Sequence, residues 1–173
     1  MADPILDQEA VAGLLTESLR TIEWAVGLVP RDWTHQIPDN VPPDSWTVAM
    51  NVAHLVTYER CIGLPLLEDL AAGGDGSKAI ESPFEQSFLA DAERIAGEPI
   101  DELLSQFRTL REREVLLVQA FDPARFNEAT TEAFNWAIHG SRKHSAAFIA
   151  AKSFQHTWEH GNAIVRAMLF SPG

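Results

Sequence analysis

The stretch "DSWTVAMNVAHLVTYER", residues 44–60, decides how this chain folds. Thr47 is placed to cap a helix, with Trp46 just outside it as a hydrophobic anchor. Met50 occupies the position where a capping box would carry Glu or Gln, so the box is incomplete. Val48, Val52 and Leu55 follow at spacings of three and four, and the pattern continues to Ile62 and Leu66. That period is one apolar face of a helix. Pro65 is expected to kink the helix or strain its last turns, and "AAGGDGS" (71–77) ends it.

The same period appears three more times. A first helix is expected from Asp7 to Val29, with Val11, Leu14, Leu15, Leu19, Ile22, Val26 and Val29 on its apolar side and Pro30 as its stop. A third long helix should run from near Pro99 to Phe121, with Asp101 and Glu102 in the first turn, where the helix dipole favours anions. Its stripe is Leu103, Phe107, Leu110, Val115, Leu117 and Val118. The last helix runs from about Ser145 to Phe170. Pro38, Pro42 and Pro43 exclude regular helix between the first two.

The connection between the second and third helices is about 25 residues, longer than a helical hairpin needs. Ser82, Pro83 and Glu85 form a capping box with proline at the first helical position, and Gly97 is a stop. A short crossover helix from Pro83 to Ala96 is therefore expected. The segment "ARFNEATTEAFNWAIHGSRKH" (124–144) reads as a short helix or a loop ended by Gly140. No segment alternates with the period of a strand. These patterns predict an all-α protein, a four-helix bundle forming a single domain over residues 1–173.

The 173 residues carry 13 Lys and Arg against 25 Asp and Glu, a formal charge of −12. A surface so acidic repels phosphate backbones and anionic lipids, so neither nucleic acid nor membrane is an expected partner. The N-terminus has no basic region followed by an apolar run, no run reaches the length of a membrane span, and the single cysteine, Cys61, suits a reducing compartment. A cytoplasmic location is the resulting expectation.

The chemistry concentrates in histidine. In "SFQHTWEHGN" (153–162), His156 and His160 are one turn apart on a face that continues through Ile149, Ser153, Ala163, Ile164 and Ala167. Two imidazoles so placed can both reach one ion at ~2.0–2.1 Å. The best third ligand is His54, two turns into the second helix on a stripe with Met50 and Cys61. His35 lies in the proline-rich loop, and His139 and His144 flank a Gly-Ser-Arg-Lys turn, where side chains are usually solvated. Three histidines leave a fourth position for water or substrate, as catalytic zinc sites do. Asn51 and Tyr58, three before and four after His54, can line the same cavity. The order His-x-x-Glu-His also matches a metalloprotease motif with Glu159 as base. That motif needs a further acidic ligand, and nothing after Glu159 is acidic. Glu159 is read instead as solvated or ion-paired, Trp158 as core or interface, and Cys61 as a small buried apolar residue.

Two blocks carry a family resemblance. "DSWTVAMNVAHLVTYER" resembles the Trp-Ser/Thr…His-Leu motif on the second helix of DinB-like proteins, and "QHTWEHGNAIVRAML" (155–169) resembles their His-x-x-x-His motif on the last. The run from Phe84 to Phe121 is similar to their crossover and third helices. The resemblance implies an up-down-down-up bundle with a long crossover between helices 2 and 3, and a homodimer. It also implies a divalent metal, zinc or nickel, held by His54, His156 and His160. Characterised members of the family use low-molecular-weight thiols, among them bacillithiol S-transferases and mycothiol-dependent maleylpyruvate isomerase. The chain departs from the family at Met50, where an acidic residue is common, and at Gly161-Asn162, near which Gln or Arg is frequent. The expected function is thus a metal-dependent enzyme of thiol S-transferase type acting on a small molecule. The alternative is a metal-binding or stress-response interaction bundle without catalysis.

Overall fold

The structure, a computed structural model, describes residues 5–37, 45–77, 84–132 and 143–169, with only the backbone of 84–87. Its elements in chain order are α1 (Gln8–Gly27), α2 (Val48–Tyr58), α3 (Leu64–Ala71), α4 (Phe84–Ile95), α5 (Ile100–Ala120), α6 (Pro123–Phe126), β1 (Thr130–Thr131), β2 (His144–Ser145) and α7 (Ala146–Leu169). Helix starts follow side-chain chemistry. Asp7 accepts from the Ala10 amide at 2.7 Å to cap α1, and Thr47 accepts from the Met50 amide at 3.0 Å to cap α2. Ser82, Pro83, the proline-rich 38–43 and His139 and Gly140 lie outside the described residues.

Side-chain contacts fix the directions of the helices. Gln8 at the start of α1 donates to Val118 and Phe121 at the end of α5, while Arg108 near the middle of α5 reaches Glu23 near the end of α1. These two helices are antiparallel. Helix α7 runs against α2, since Asn51 meets His160 whereas Tyr58 meets His156. Two apolar clusters fill the interior. One joins Val11 and Leu15 to Tyr58, Leu66, Val118, Phe126 and Ile149, and the other joins Ile22 and Val26 to Val52, Leu55, Leu103, Phe107 and Ile164.

Three expectations need correction. The α2–α3 helix is not simply kinked at Pro65, because a π turn over Glu59–Gly63 precedes it and Pro65 sits at the start of α3. Proline cannot donate to the ordinary helical acceptor, and one wider turn accommodates that loss. The 124–144 segment contains α6 and a short antiparallel ladder in which Thr130 pairs with Ser145 and Thr131 with His144. A two-residue strand is too short to leave an alternating pattern. Of the two readings of Trp158, core or interface, the first is excluded, since the residue is 54% exposed on α7.

The π turn carries Glu59 into the interior, where the residue is 0% exposed. Gly63 leaves space for it. A Cβ built there would stand 2.6 Å from Glu59 Oε2 and 3.2 Å from Ser153 Oγ. The Glu59 carboxylate cannot swing aside, because Arg111 Nη2 donates to its Oε1 at 2.7 Å. Gly63→Ala gains up to ~1 kcal/mol of helix propensity. Overpacking against a pinned group costs about 1–3 kcal/mol, so the variant should be the less stable one. Urea denaturation measures the difference, and an unchanged or raised midpoint would contradict this account of the π turn.

Candidate metal centre

Three imidazoles meet between α2 and α7. His54 Nε2 lies 3.1 Å from His156 Nε2, and His160 Nε2 lies 3.1 Å from the same atom. Among the described residues these three are the one set of candidate donors gathered tightly enough to share an ion. The sequence pattern placed them: His54 projects from the second turn of α2, and the spacing of His156 and His160 stacks them on one face of α7. The two helices are antiparallel, so His54 falls level with the gap between the α7 pair.

The tautomer of His160 follows from its neighbour. Asn51 is 4% exposed. Its Nδ2 donates to the Thr47 carbonyl at 2.9 Å and lies 3.5 Å from that of Trp46. That leaves Oδ1 to accept from His160 Nδ1 at 2.8 Å. Nδ1 therefore carries the proton, and Nε2 presents a lone pair to the centre. The outer nitrogens of His54 and His156 are buried with no hydrogen-bond partner among the described residues.

This arrangement fits a divalent cation. A single His156 Nε2–H can donate well to only one of its two neighbours at 3.1 Å, so hydrogen bonding among three neutral rings does not satisfy both contacts. A shared cation satisfies all three lone pairs. Nitrogens ~2.0–2.1 Å from one ion stand roughly 2.8–3.4 Å apart across octahedral and tetrahedral geometries, and the observed 3.1 Å lies in that range.

The surroundings keep the histidines neutral. Burial, with the neighbouring His160, lowers His54 to about 3, and burial lowers His160 to about 4, partly opposed by Glu159. His156 is held well below its ordinary value, first by burial and then by the two other histidines, Lys152 and Arg111. The walls are aromatic. The Trp46 ring stacks on His160 at 5.7 Å and tilts against His54 at 4.8 Å. Phe88 of α4 meets His54 edge-on at 4.9 Å. Trp46 remains 37% exposed, so the rim toward α2's first turn faces solvent.

Tyr58 does line the centre, but through its ring, 4.4 Å from that of His156. Its hydroxyl belongs to another buried group, beside Ser153, Glu59 and Glu114. That group is what sequence reasoning missed. Arg111, Glu59 and Glu114 are all 0% exposed. The Arg111 guanidinium donates to Glu59 and to Thr157 Oγ1, each at 2.7 Å, and also pairs with Glu114. The available signal was position, since Arg111 and Glu114 fall on the same stripe of α5 as Phe107 and Val118.

The remaining candidates are dispersed. His35 is exposed at Glu98, whose carbonyl lies 2.9 Å from its Nε2. His144 is fully buried rather than solvated, because β2 carries it under the chain to stack on Phe148. Glu159 is exposed and accepts from Gln155 at 2.8 Å, away from the three nitrogens. Cys61 is half-buried against the apolar cluster around Tyr58.

The DinB superfamily model matches residues 9–164. The chain belongs to the DinB superfamily. Solved structures agree on the fold. A Streptococcus pneumoniae protein superposes with a TM-score of 0.75 at 12% identity, covering 98% of this chain and 94% of that one. A Clostridium difficile 630 protein, described as uncharacterized, gives 0.73 at 12% identity, covering 95% and 96%. At such identities the likeness establishes a shared fold and nothing further. No functionally curated protein matches the chain. No helix among the described residues is long and apolar enough to cross a membrane.

The lowered histidine values set a pH dependence. His54 and His160 are neutral when folded but take up protons near 6.5 when unfolded. The unfolded state then binds more protons, so the apoprotein loses stability as pH falls from about 6.5 toward 4 and 3. Thermal unfolding of apoprotein should show that loss, and His54→Gln should reduce its slope. A melting temperature independent of pH over this window would contradict the burial assigned to these rings.

Proposed function

We propose that this protein is a metal-dependent enzyme of thiol S-transferase type, with His54, His156 and His160 holding Zn2+ or Ni2+. The convergence of three neutral Nε2 atoms carries the reading. A three-histidine set leaves a coordination position open to a small ligand. A bound divalent cation there would lower the pKa of a thiol or of water into the neutral range.

The protein's own residues supply the rest. Asn51 fixes His160 in the tautomer that offers Nε2 inward. Burial keeps all three imidazoles unprotonated at neutral pH, so no proton has to be displaced before they can act as ligands. Trp46 and Phe88 flank the site with apolar surface, which thins the water around it and raises the strength of electrostatic interactions there. These rings favour an electrophile with an apolar or aromatic body. The acidic surface opposes a polyanionic one.

Two measurements test the reading. Metal analysis of purified protein should give one divalent ion per chain, and His54→Ala or His156→Ala should abolish it; full metal content in both would end the assignment. The metal-loaded protein should transfer bacillithiol, mycothiol or glutathione to a model electrophile. Stoichiometric metal with no turnover on any of them would favour a non-catalytic metal-binding bundle. Asn51→Ala should weaken metal affinity by about 10–100-fold, the usual effect of losing an outer partner of a ligating histidine. Titration against a competing chelator measures it, and an unchanged affinity would remove Asn51 from the site.

A further inference from the structure

The buried Arg111–Glu59–Glu114 group lies one layer behind the metal centre. The layer between consists of Tyr58, whose ring packs on His156, with Ser153 and Thr157 of the same α7 helix. Ser153 sits beside the Tyr58 hydroxyl and the Glu114 carboxyl, and Thr157 accepts from Arg111 at 2.7 Å. One guanidinium here faces two carboxyl groups, all 0% exposed. Two buried carboxylates sharing one cation would leave an uncompensated negative charge in the core, which is costly. A proton held between the carboxyls removes it. Burial is the main cause that raises both Glu59 and Glu114 above the ordinary carboxyl range. Each carboxyl spends one oxygen on Arg111, and the other oxygens, Glu59 Oε2 and Glu114 Oε1, are buried with no hydrogen-bond partner among the described residues.

A divalent ion on three neutral imidazoles presents the opposite problem. It introduces two positive charges with no anionic ligand to offset them. Arg111 is already felt at His156, and so is Lys152. The groups bordering the carboxyl pair are Tyr58 on its own helix segment, Arg111 on α5, and Ser153 and Thr157 on α7. On the outer side of Arg111, Arg20 and Glu23 of α1 and Arg108 and Glu112 of α5 line a groove. Arg108 pairs there with Glu23, and Arg20 with Glu17. Those exposed pairs are screened by solvent. Glu159, which acts on His160, is likewise exposed, so the buried negative charge available to the centre is that of Glu59 and Glu114.

We infer that the Glu59–Glu114 pair is the counter-charge of the metal centre, holding one proton when the histidines are free and releasing it to solvent when a divalent cation binds. This rests on the metal-binding reading above. The balance is simple: protonated pair plus M2+ gives ionised pair, bound M2+ and one H+. Glu59 and Glu114 act through charge and touch neither the ion nor a substrate.

Zinc titration by calorimetry, in buffers of different ionisation enthalpy from roughly pH 5.5 to 8.5, counts the protons released per ion bound. Because the histidines are already neutral in most of this range, they contribute few. The wild type should release about one proton more than Glu59→Gln, and its affinity should gain on the order of tenfold per pH unit relative to that variant. Glu114→Gln should behave as Glu59→Gln does, because either change leaves one carboxylate paired with Arg111. Circular dichroism checks that both variants are fully folded before zinc is added, since histidines of an unfolded fraction would release protons of their own on binding. A proton from a zinc-bound water would appear equally in all three proteins. Equal counts in the wild type and both variants, with zinc bound at one per chain, would overturn the counter-charge and leave the metal site standing. Failure of the wild type to bind zinc or nickel would overturn both.

Discussion

The Arg111 guanidinium is the point on which the arrangement depends. It projects from α5, donates to Glu59 at the π turn after α2, and donates to Thr157 on α7. Three of the four long helical segments are thereby tied at one buried level. Removing one partner of such a group typically costs about 3–5 kcal/mol, because the others stay buried and unpaired. The contact also sets a register. Thr157 adjoins His156, and Glu59 adjoins Tyr58, which packs on the His156 ring. Helix positions that suit Arg111 are the ones that bring the His54 and His156 nitrogens to 3.1 Å.

Polar satisfaction and site geometry are linked in the same way at the other end of the centre. Asn51 uses its amide nitrogen on the backbone at the start of α2 and its oxygen on His160. The Thr47 cap and the backbone carbonyls near it therefore help to decide which nitrogen of His160 faces inward. Local helix chemistry and the orientation of the histidine ring are not separate here. A change at the first turn of α2 reaches the three-histidine cluster through one side chain. On the remaining sides the centre is bounded by rings, Trp46, Phe88 and Tyr58, that offer no competing ligand.

Much of this was legible in the sequence because it is periodic or local. The spacing of Val48, Val52 and Leu55 marked α2, the Thr47 cap placed its start, and His156 with His160 could only share a face. His54 was recognisable from its position on an inward stripe, and Asn51 from its offset of three. His144 was misjudged, and Trp158 could not be divided between core and interface, for one reason: exposure depends on which neighbour covers a face, and no neighbour is visible in a linear pattern. The π turn was hidden because Pro65 explained the irregularity by itself, while the close approach of Glu59 and Ser153 to Gly63 arises only once α7 packs there.

The sequence by itself determined the all-α class, the helix starts and the three histidines, since each depends on spacing along one helix and on side-chain chemistry. Only the tertiary structure decided that Arg111, Glu59 and Glu114 share one dry interior, and that Tyr58 turns its ring to His156 and its hydroxyl to those carboxyls. Charged residues on a helix normally face water, because burial strips their hydration. The exception requires partners from three helices at once, and only the assembled bundle brings those partners together.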